Sequence, residues 1–302
     1  MQPFKSTNLI EFTERFKNDE DCYRYLMDIK WGKGFRCSRC HCKEAVRSKK
    51  WYYKRCKNCL YDESATSGTL FHKLKFPIIK AFHILFRLSI NKKGMSSVQI
   101  AKEYGVQQKT AWFFRQKAQI AMKSSGKTFL TGKVNVDEFT VGGPEKNMQG
   151  RSDSSKNKVM VAIEVRGRKK KKSIGRAYAH CIEDYTSKSF RSFFNAGISE
   201  NAIVATDCFR SYGPLADQYT INQFYSENGA AFKEIHLIIM NFKSWLRGIH
   251  HKCKYGYLQK YLDEFFFRFN RRNSEKSIFN KIINRFVRES PATLKTIYEL
   301  NT

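Results

Sequence analysis

Apolar residues recur at helical spacing near the start of the chain, where Leu9, Phe12, Phe16, Tyr23 and Leu26 predict an amphipathic lead-in over residues 1–30. Pro77, favourable in a first helical turn, opens a second pattern with Ile78, Ala81, Phe82, Leu85 and Leu88 on one stripe, ended by the break from Asn91 to Gly94. Ser96 or Ser97 then caps a short helix, Gln99–Tyr104, and Gly105 makes a turn. A longer helix, Gln107–Met122, alternates Ala111, Trp112, Phe114, Ala118 and Ala121 with Lys109, Arg115 and Lys117. From Lys133 the period changes to two or to short apolar runs. Lys133–Val141, Val159–Val165 and Ile174–Ile182 read as strands, Ser187–Ala196 as a helix, Ala202–Thr206 as a buried strand, and Ile235–His250 and Tyr257–Asn270 as helices. Gly142 to Lys158, rich in Gly, Ser, Lys and Asn, and the cationic hairpin Arg166 to Lys172 interrupt this pattern as flexible segments.

Two cysteine pairs change the picture most. Cys37-Ser38-Arg39-Cys40 and Cys56-Lys57-Asn58-Cys59 stand fifteen residues apart, a spacing that gives tetrahedral zinc two thiolates from each of two tight knuckles. Cys37, Cys40, Cys56 and Cys59 close the shell, so the Zn²⁺ is structural and His41 and Cys42 are bystanders. The other cysteines are scattered, which suits a reducing compartment better than a disulfide framework. At 302 residues the chain exceeds one core and divides into a helical lead-in (1–30), a zinc ribbon (31–70), a helix-turn-helix domain (71–126), an α/β domain (127–275) and a helical tail (276–302).

Charge then names the kind of partner. With 56 Lys and Arg against 27 Asp and Glu, the formal net charge is +29, which favours a polyanion through counterion release. An acidic membrane surface is the rival. No apolar run near eighteen residues, no amino-terminal apolar signal and no lipidation motif is present, so the expectation is a cytoplasmic, nucleoid-associated protein without a membrane partner. Lys49, Lys50, Lys54 and Arg55 in the ribbon, interleaved with Trp51, suit a phosphate backbone and a groove wall. Short helix, glycine turn and longer basic helix outline a helix-turn-helix whose second helix, with Lys109, Arg115 and Lys117, enters the major groove of double-stranded DNA.

Three strands, a helix, another strand and then helices is the element order of a ribonuclease-H-like mixed sheet with flanking helices, making the whole a multidomain α/β protein. Asp137 and Asp207 each end a predicted strand, and two carboxylates on strand ends of one sheet can converge on divalent cations for phosphodiester hydrolysis or transfer. An Asp at a strand end is also a common turn or cap residue. Glu138 neighbours Asp137 but points to the opposite face of a strand, which leaves it outside the cation shell.

The words around these residues carry a resemblance. Val134-Asn135-Val136-Asp137-Glu138-Phe139-Thr140-Val141-Gly142-Gly143, then Thr206-Asp207 with Ser211-Tyr212, then His236 through His251, Tyr261 to Phe265 and Arg268 to Arg272, together with the cysteine pairs, resemble bacterial insertion-sequence transposases of the fifteen-ninety-five group. That resemblance spans residues 10 to 275 and implies a DDE-type enzyme, with a zinc ribbon and a ribonuclease-H-like catalytic domain, that cuts and joins DNA at the ends of a mobile element. It also implies catalytic Mg²⁺ or Mn²⁺ and a homo-oligomer on DNA. Many relatives carry Glu followed seven residues later by Lys at the third catalytic position. Aligning Lys243 with that Lys places His236 in the acidic position, about 20° from Lys243 around a helix and on the side of Arg247, a cation assigned to DNA. The metal set is then Asp137, Asp207 and His236, with Lys243 holding a phosphate. Asn241, about 140° from His236, or Glu234 is the third ligand if the helix is entered differently. His250, His251, Lys252 and Lys254 fit the DNA backbone, and a second zinc site with Cys253 lacks paired knuckles. The non-acidic third position keeps open a catalytically inactive, transposase-derived DNA-binding regulator. A nuclease for RNA-containing hybrids leaves the two amino-terminal modules unexplained.

Overall fold

The computed structural model describes residues 2–124, 127–142, 156–167, 172–225, 232–250 and 255–299. It divides into two compact units, Met1–Met122 with Asn273–Leu300, and Lys123–Arg272. Most of the two segments read as flexible lies outside the described residues, as do His251, Lys252, Cys253 and Lys254.

The lead-in is two helices instead of one, α1 (Leu9–Arg15) and α2 (Asp19–Trp31). Asn18 separates them, because its side chain accepts from the Asp21 backbone N–H and restarts the helix as an N-cap. The ribbon follows as β1 (Ala45–Arg47), β2 (Tyr53–Cys56) and β3 (Asp62–Ser64), an antiparallel sheet in that order. Next come α3 (Ile78–Ile90), α4 (Ser97–Tyr104) and α5 (Gln108–Met122). Ser96 caps α4, and Gly105 ends it at φ 58°, a left-handed conformation that glycine takes without the strain of a Cβ.

The second unit is built on a five-stranded mixed sheet ordered β6-β5-β4-β7-β8, comprising β4 (Lys133–Val141), β5 (Asn157–Arg166), β6 (Ser173–Ile182), β7 (Ile203–Thr206) and β8 (Thr220–Gln223). β4, β5 and β6 pair antiparallel, whereas β7 runs parallel to β4 and to β8. Helix α6 (Ser187–Gly197) and a 3-10 segment, Arg210–Asp217, cover one face, where Val134, Val136, Phe190, Phe194 and Tyr212 share a core. Helices α7 (Lys233–Ile249) and α8 (Tyr255–Phe269) cover the other, with Phe139, Val161, Ile235, Phe242 and Leu262 in a second core. Side-chain alternation along β4 feeds both cores, so the sheet is buried on each side.

The tail forms α9 (Ile278–Arg288) and α10 (Leu294–Glu299). It is part of the first unit: α9 packs on α2, α3 and α5, and Phe279 meets Phe4, Phe12 and Phe82 edge-on in an aromatic core.

Candidate functional site

Asp137 is central in β4, not at a strand end as expected; the strand has its predicted bounds, Lys133–Val141, and beyond Asp137 its Phe139 fills the α7 core. Asp207 does follow the last residue of its strand, β7. The two strands are parallel neighbours, with Lys133 opposite Ile203 and Asn135 opposite Ala205. The paired register ends there; Asp207, two residues beyond, is near enough for its charge to act on the Asp137 carboxyl. On the same face, the first turns of α7 bring His236 Nε2 to 3.1 Å from Asp137 Oδ2.

Burial raises the pKa of the Asp137 carboxyl; His236 and the Glu138 N–H, at 2.9 Å from Oδ1, oppose that, and the like charge of Asp207 adds to it. Lys243 lies two helical turns further along the same face of α7, its ammonium 5.4 Å from the Phe139 ring centroid. Burial and the neighbouring cations Arg247 and Lys156 lower its pKa, while Asp137 acts in the opposite sense. Two carboxylates and an imidazole form a donor set suited to Mg²⁺ or, with its tolerance of nitrogen, Mn²⁺. Among the described residues, only the four cysteines bring three or more such ligand atoms within 4.8 Å of one another, so the carboxylate site is assembled more loosely than the ribbon site. Asn241 is exposed on α7, and Glu234 pairs with Lys172 at 3.7 Å.

The ribbon cysteines are tightly gathered. Cys37 and Cys59 stand 3.6 Å apart and Cys40 and Cys56 3.4 Å, close to the roughly 3.8 Å edge of a tetrahedron with Zn–S bonds of about 2.3 Å. Each knuckle closes in the same way. Cys37 N–H donates to Cys42 O and Cys56 N–H to Tyr61 O, and the residue after each second cysteine, His41 or Leu60, has φ near +60°. Four thiols so close, with the Cys40 thiol drawn down to about 6 by backbone donation from Cys42, fit a zinc ion and would repel one another as thiolates without it. Behind the first knuckle, buried Glu63 accepts from Ser38 N–H and pairs with Lys30 at 2.7 Å.

The cations assigned to DNA divide. Lys49, Lys50, Lys109 and Arg247 are exposed; Arg55 is exposed and paired with Asp62; Lys54 is half-buried, its ammonium 5.2 Å from the Trp31 ring centroid. Arg115 and Lys117 are a correction, for they are only 2% and 3% exposed. Alternation with apolar residues put them on a polar face, but α5 packs against α4 and α9, and Lys117 donates inward to Leu70 O and His72 O. Two residues bonded to the site aspartates or their neighbours carry no signal in the sequence. Tyr212, which donates to Glu138, follows Asp207 by five residues with nothing local to mark it, and Gln223, which donates to Asp207 O at 3.1 Å, sits on a strand too short and polar to announce itself.

Comparison with known proteins covers both sites. Residues 129–270 match the family model for the ISXO2-like transposase domain, the DDE domain of the IS1595 family, and residues 17–62 match the transposase zinc-ribbon domain of that family. No curated protein and no solved structure matches the chain. The cysteine site falls inside one matched domain and Asp137, Asp207 and His236 inside the other, and the chain belongs to the IS1595 family of transposases.

Proposed function

We propose that the chain binds the ends of an insertion sequence and catalyses metal-dependent strand cleavage and strand transfer into target DNA. The observation that supports this reading is the convergence of three candidate ligands on one side of the sheet: His236 Nε2 is 3.1 Å from Asp137 Oδ2, and the charge of Asp207, at the end of the neighbouring parallel strand, acts on Asp137. The strand order and the helices on both faces support a ribonuclease-H-like reading of this unit.

Asp137, Asp207 and His236 would hold Mg²⁺ or Mn²⁺, which when bound lowers the pKa of water and neutralises charge on the leaving oxygen. Burial of Asp137 beside a second carboxylate favours a cation there over two free anions. Lys243, on the same side of α7, binds a phosphate flanking the scissile bond, and the freed 3′ hydroxyl attacks target DNA in the same site. The ribbon, with Lys49, Lys50, Lys54 and Arg55, and α4 and α5, with Lys109, read as a helix-turn-helix, grip the element ends; bridging two ends requires an oligomer.

The test is a supercoiled donor plasmid carrying element ends, incubated with protein and Mg²⁺. Asp137→Ala and Asp207→Ala are expected to abolish cleavage and transfer and to leave end binding in gel shifts within about threefold of wild type. Binding by wild type without any cutting in Mg²⁺ or Mn²⁺ would identify a DNA-binding regulator instead, the reading that the imidazole at the third position favours.

A further inference from the structure

Asp207 stands one residue beyond β7, and the ladder between β4 and β7 pairs residues only as far as Asn135 and Ala205. Strand pairing alone therefore does not hold Asp207 at a set distance from Asp137. Two other attachments do. On the β8 side, Gln223 pairs with Thr206 and donates its side-chain amide to Asp207 O and Phe209 O, while Asp207 Oδ1 accepts from Phe209 N–H.

The second attachment returns to β4. Glu138 follows Asp137 and points through to the opposite face of the sheet, where its Oε2 accepts from Tyr212 Oη at 2.5 Å. Tyr212 is fully buried, its ring 4.8 Å from that of Phe190, and it lies in the 3-10 segment that begins three residues after Asp207. Its phenol is directed out of an apolar core onto a carboxylate, a short charge-assisted bond that joins the strand of one aspartate to the segment following the other.

We propose that Glu138 and Tyr212 are positioning residues whose hydrogen bond sets the separation of Asp137 and Asp207 and thereby the affinity of the site for a divalent cation. The inference rests on the reading of those aspartates as cation ligands. Glu138 acts through geometry and touches no reacting atom, and groups that orient metal ligands from behind typically change metal affinity by about 10–100-fold.

The experiment titrates Mn²⁺ into the zinc-loaded full-length protein without DNA and follows the free ion by electron paramagnetic resonance. Tyr212→Phe, which removes one hydroxyl and keeps the ring, is expected to weaken Mn²⁺ binding about tenfold or more. Glu138→Ala should fall equally far, the double variant no further, and Glu138→Gln, whose amide oxygen still accepts the phenol proton, should stay within about threefold of wild type. Wild-type affinity in Tyr212→Phe would overturn the inference, as would a loss in Glu138→Gln matching that in Glu138→Ala, because charge and not the tie would then be responsible. Should Tyr212→Phe not fold, the contrast between Glu138→Ala and Glu138→Gln makes the same decision. Failure of wild type to bind Mn²⁺, or unchanged binding in Asp137→Ala, would remove the cation site itself and is distinguishable from both.

Discussion

Lys117 lies on the helix assigned to the major groove, yet its ammonium is buried against the carbonyls of Leu70 and His72, and burial draws its pKa down to about 8. Lys117→Ala is expected to leave two buried carbonyls short of a donor, costing about 1–3 kcal/mol in denaturant unfolding, without altering the salt dependence of DNA binding. Lys49→Ala and Lys50→Ala, at exposed positions, should each reduce the slope of log affinity against log salt by about one with little change in stability. His180 on β6 shows the same effect of burial on a different titration. Burial, reinforced by Lys123, lowers its pKa from 6.5 to about 4, and its ring meets Phe193 at 5.7 Å. The unfolded chain takes up a proton near pH 6.5 that the folded chain refuses until about pH 4, so stability is complete above 6.5 and is lost as pH falls toward 4. Calorimetry across that range should show a drop of up to about 3 kcal/mol that His180→Leu largely removes.

At the scale of elements, what was legible followed from period and length. β4 appears with the predicted bounds, although its apolar positions change phase from Val134 and Val136 to Phe139 and Val141, because each pair fills a different core. β5, β6, α6 and α7 shift by only a residue or two at their ends, where fraying and caps decide. The ribbon strands and β8 were not anticipated, since three or four residues carry no period, and β8 is largely exposed. The aspartates were legible as types, but their adjacency needed the register between β4 and β7, a contact across about seventy residues that local pattern does not contain. In the ribbon the four cysteines were legible, and a zinc ion held by them would do the work that a core of this size cannot. Stripping zinc with a strong chelator, or substituting Cys56→Ser, is expected to unfold residues 37–64, read as collapse of their backbone amide dispersion in NMR spectra, with the β4–β8 sheet unaffected.

For the whole molecule, the consequential feature is that the chain leaves its first unit at Met122 and returns to it at Asn273. The tail's pattern, Ile278, Phe279, Ile282, Ile283, Phe286 and Val287, declares an amphipathic helix in the sequence, and all six side chains are buried. What it packs against was hidden, because α2, α3 and α5 lie some two hundred residues away in sequence. Burying an apolar side chain of this size contributes about 1.5–3 kcal/mol, so six of them rival the roughly 5–15 kcal/mol by which a domain is stable. Phe279 alone meets Phe4, Phe12, Phe16, Phe82 and Phe86, and Tyr25 Oη reaches Asn280 Oδ1 at 2.5 Å. Phe279→Ala is therefore expected to cost the first unit about 3–5 kcal/mol. A chain ending at Arg272 keeps every cysteine of the ribbon and every residue of the carboxylate site, but uncovers that aromatic core. Limited proteolysis should then degrade residues 1–122 while residues 123–272 persist as a resistant fragment, and specific end binding should vanish even though Asp137, Asp207 and His236 are intact. Equal protease resistance of the truncated and complete chains would mean that α9 adds nothing to the unit it completes.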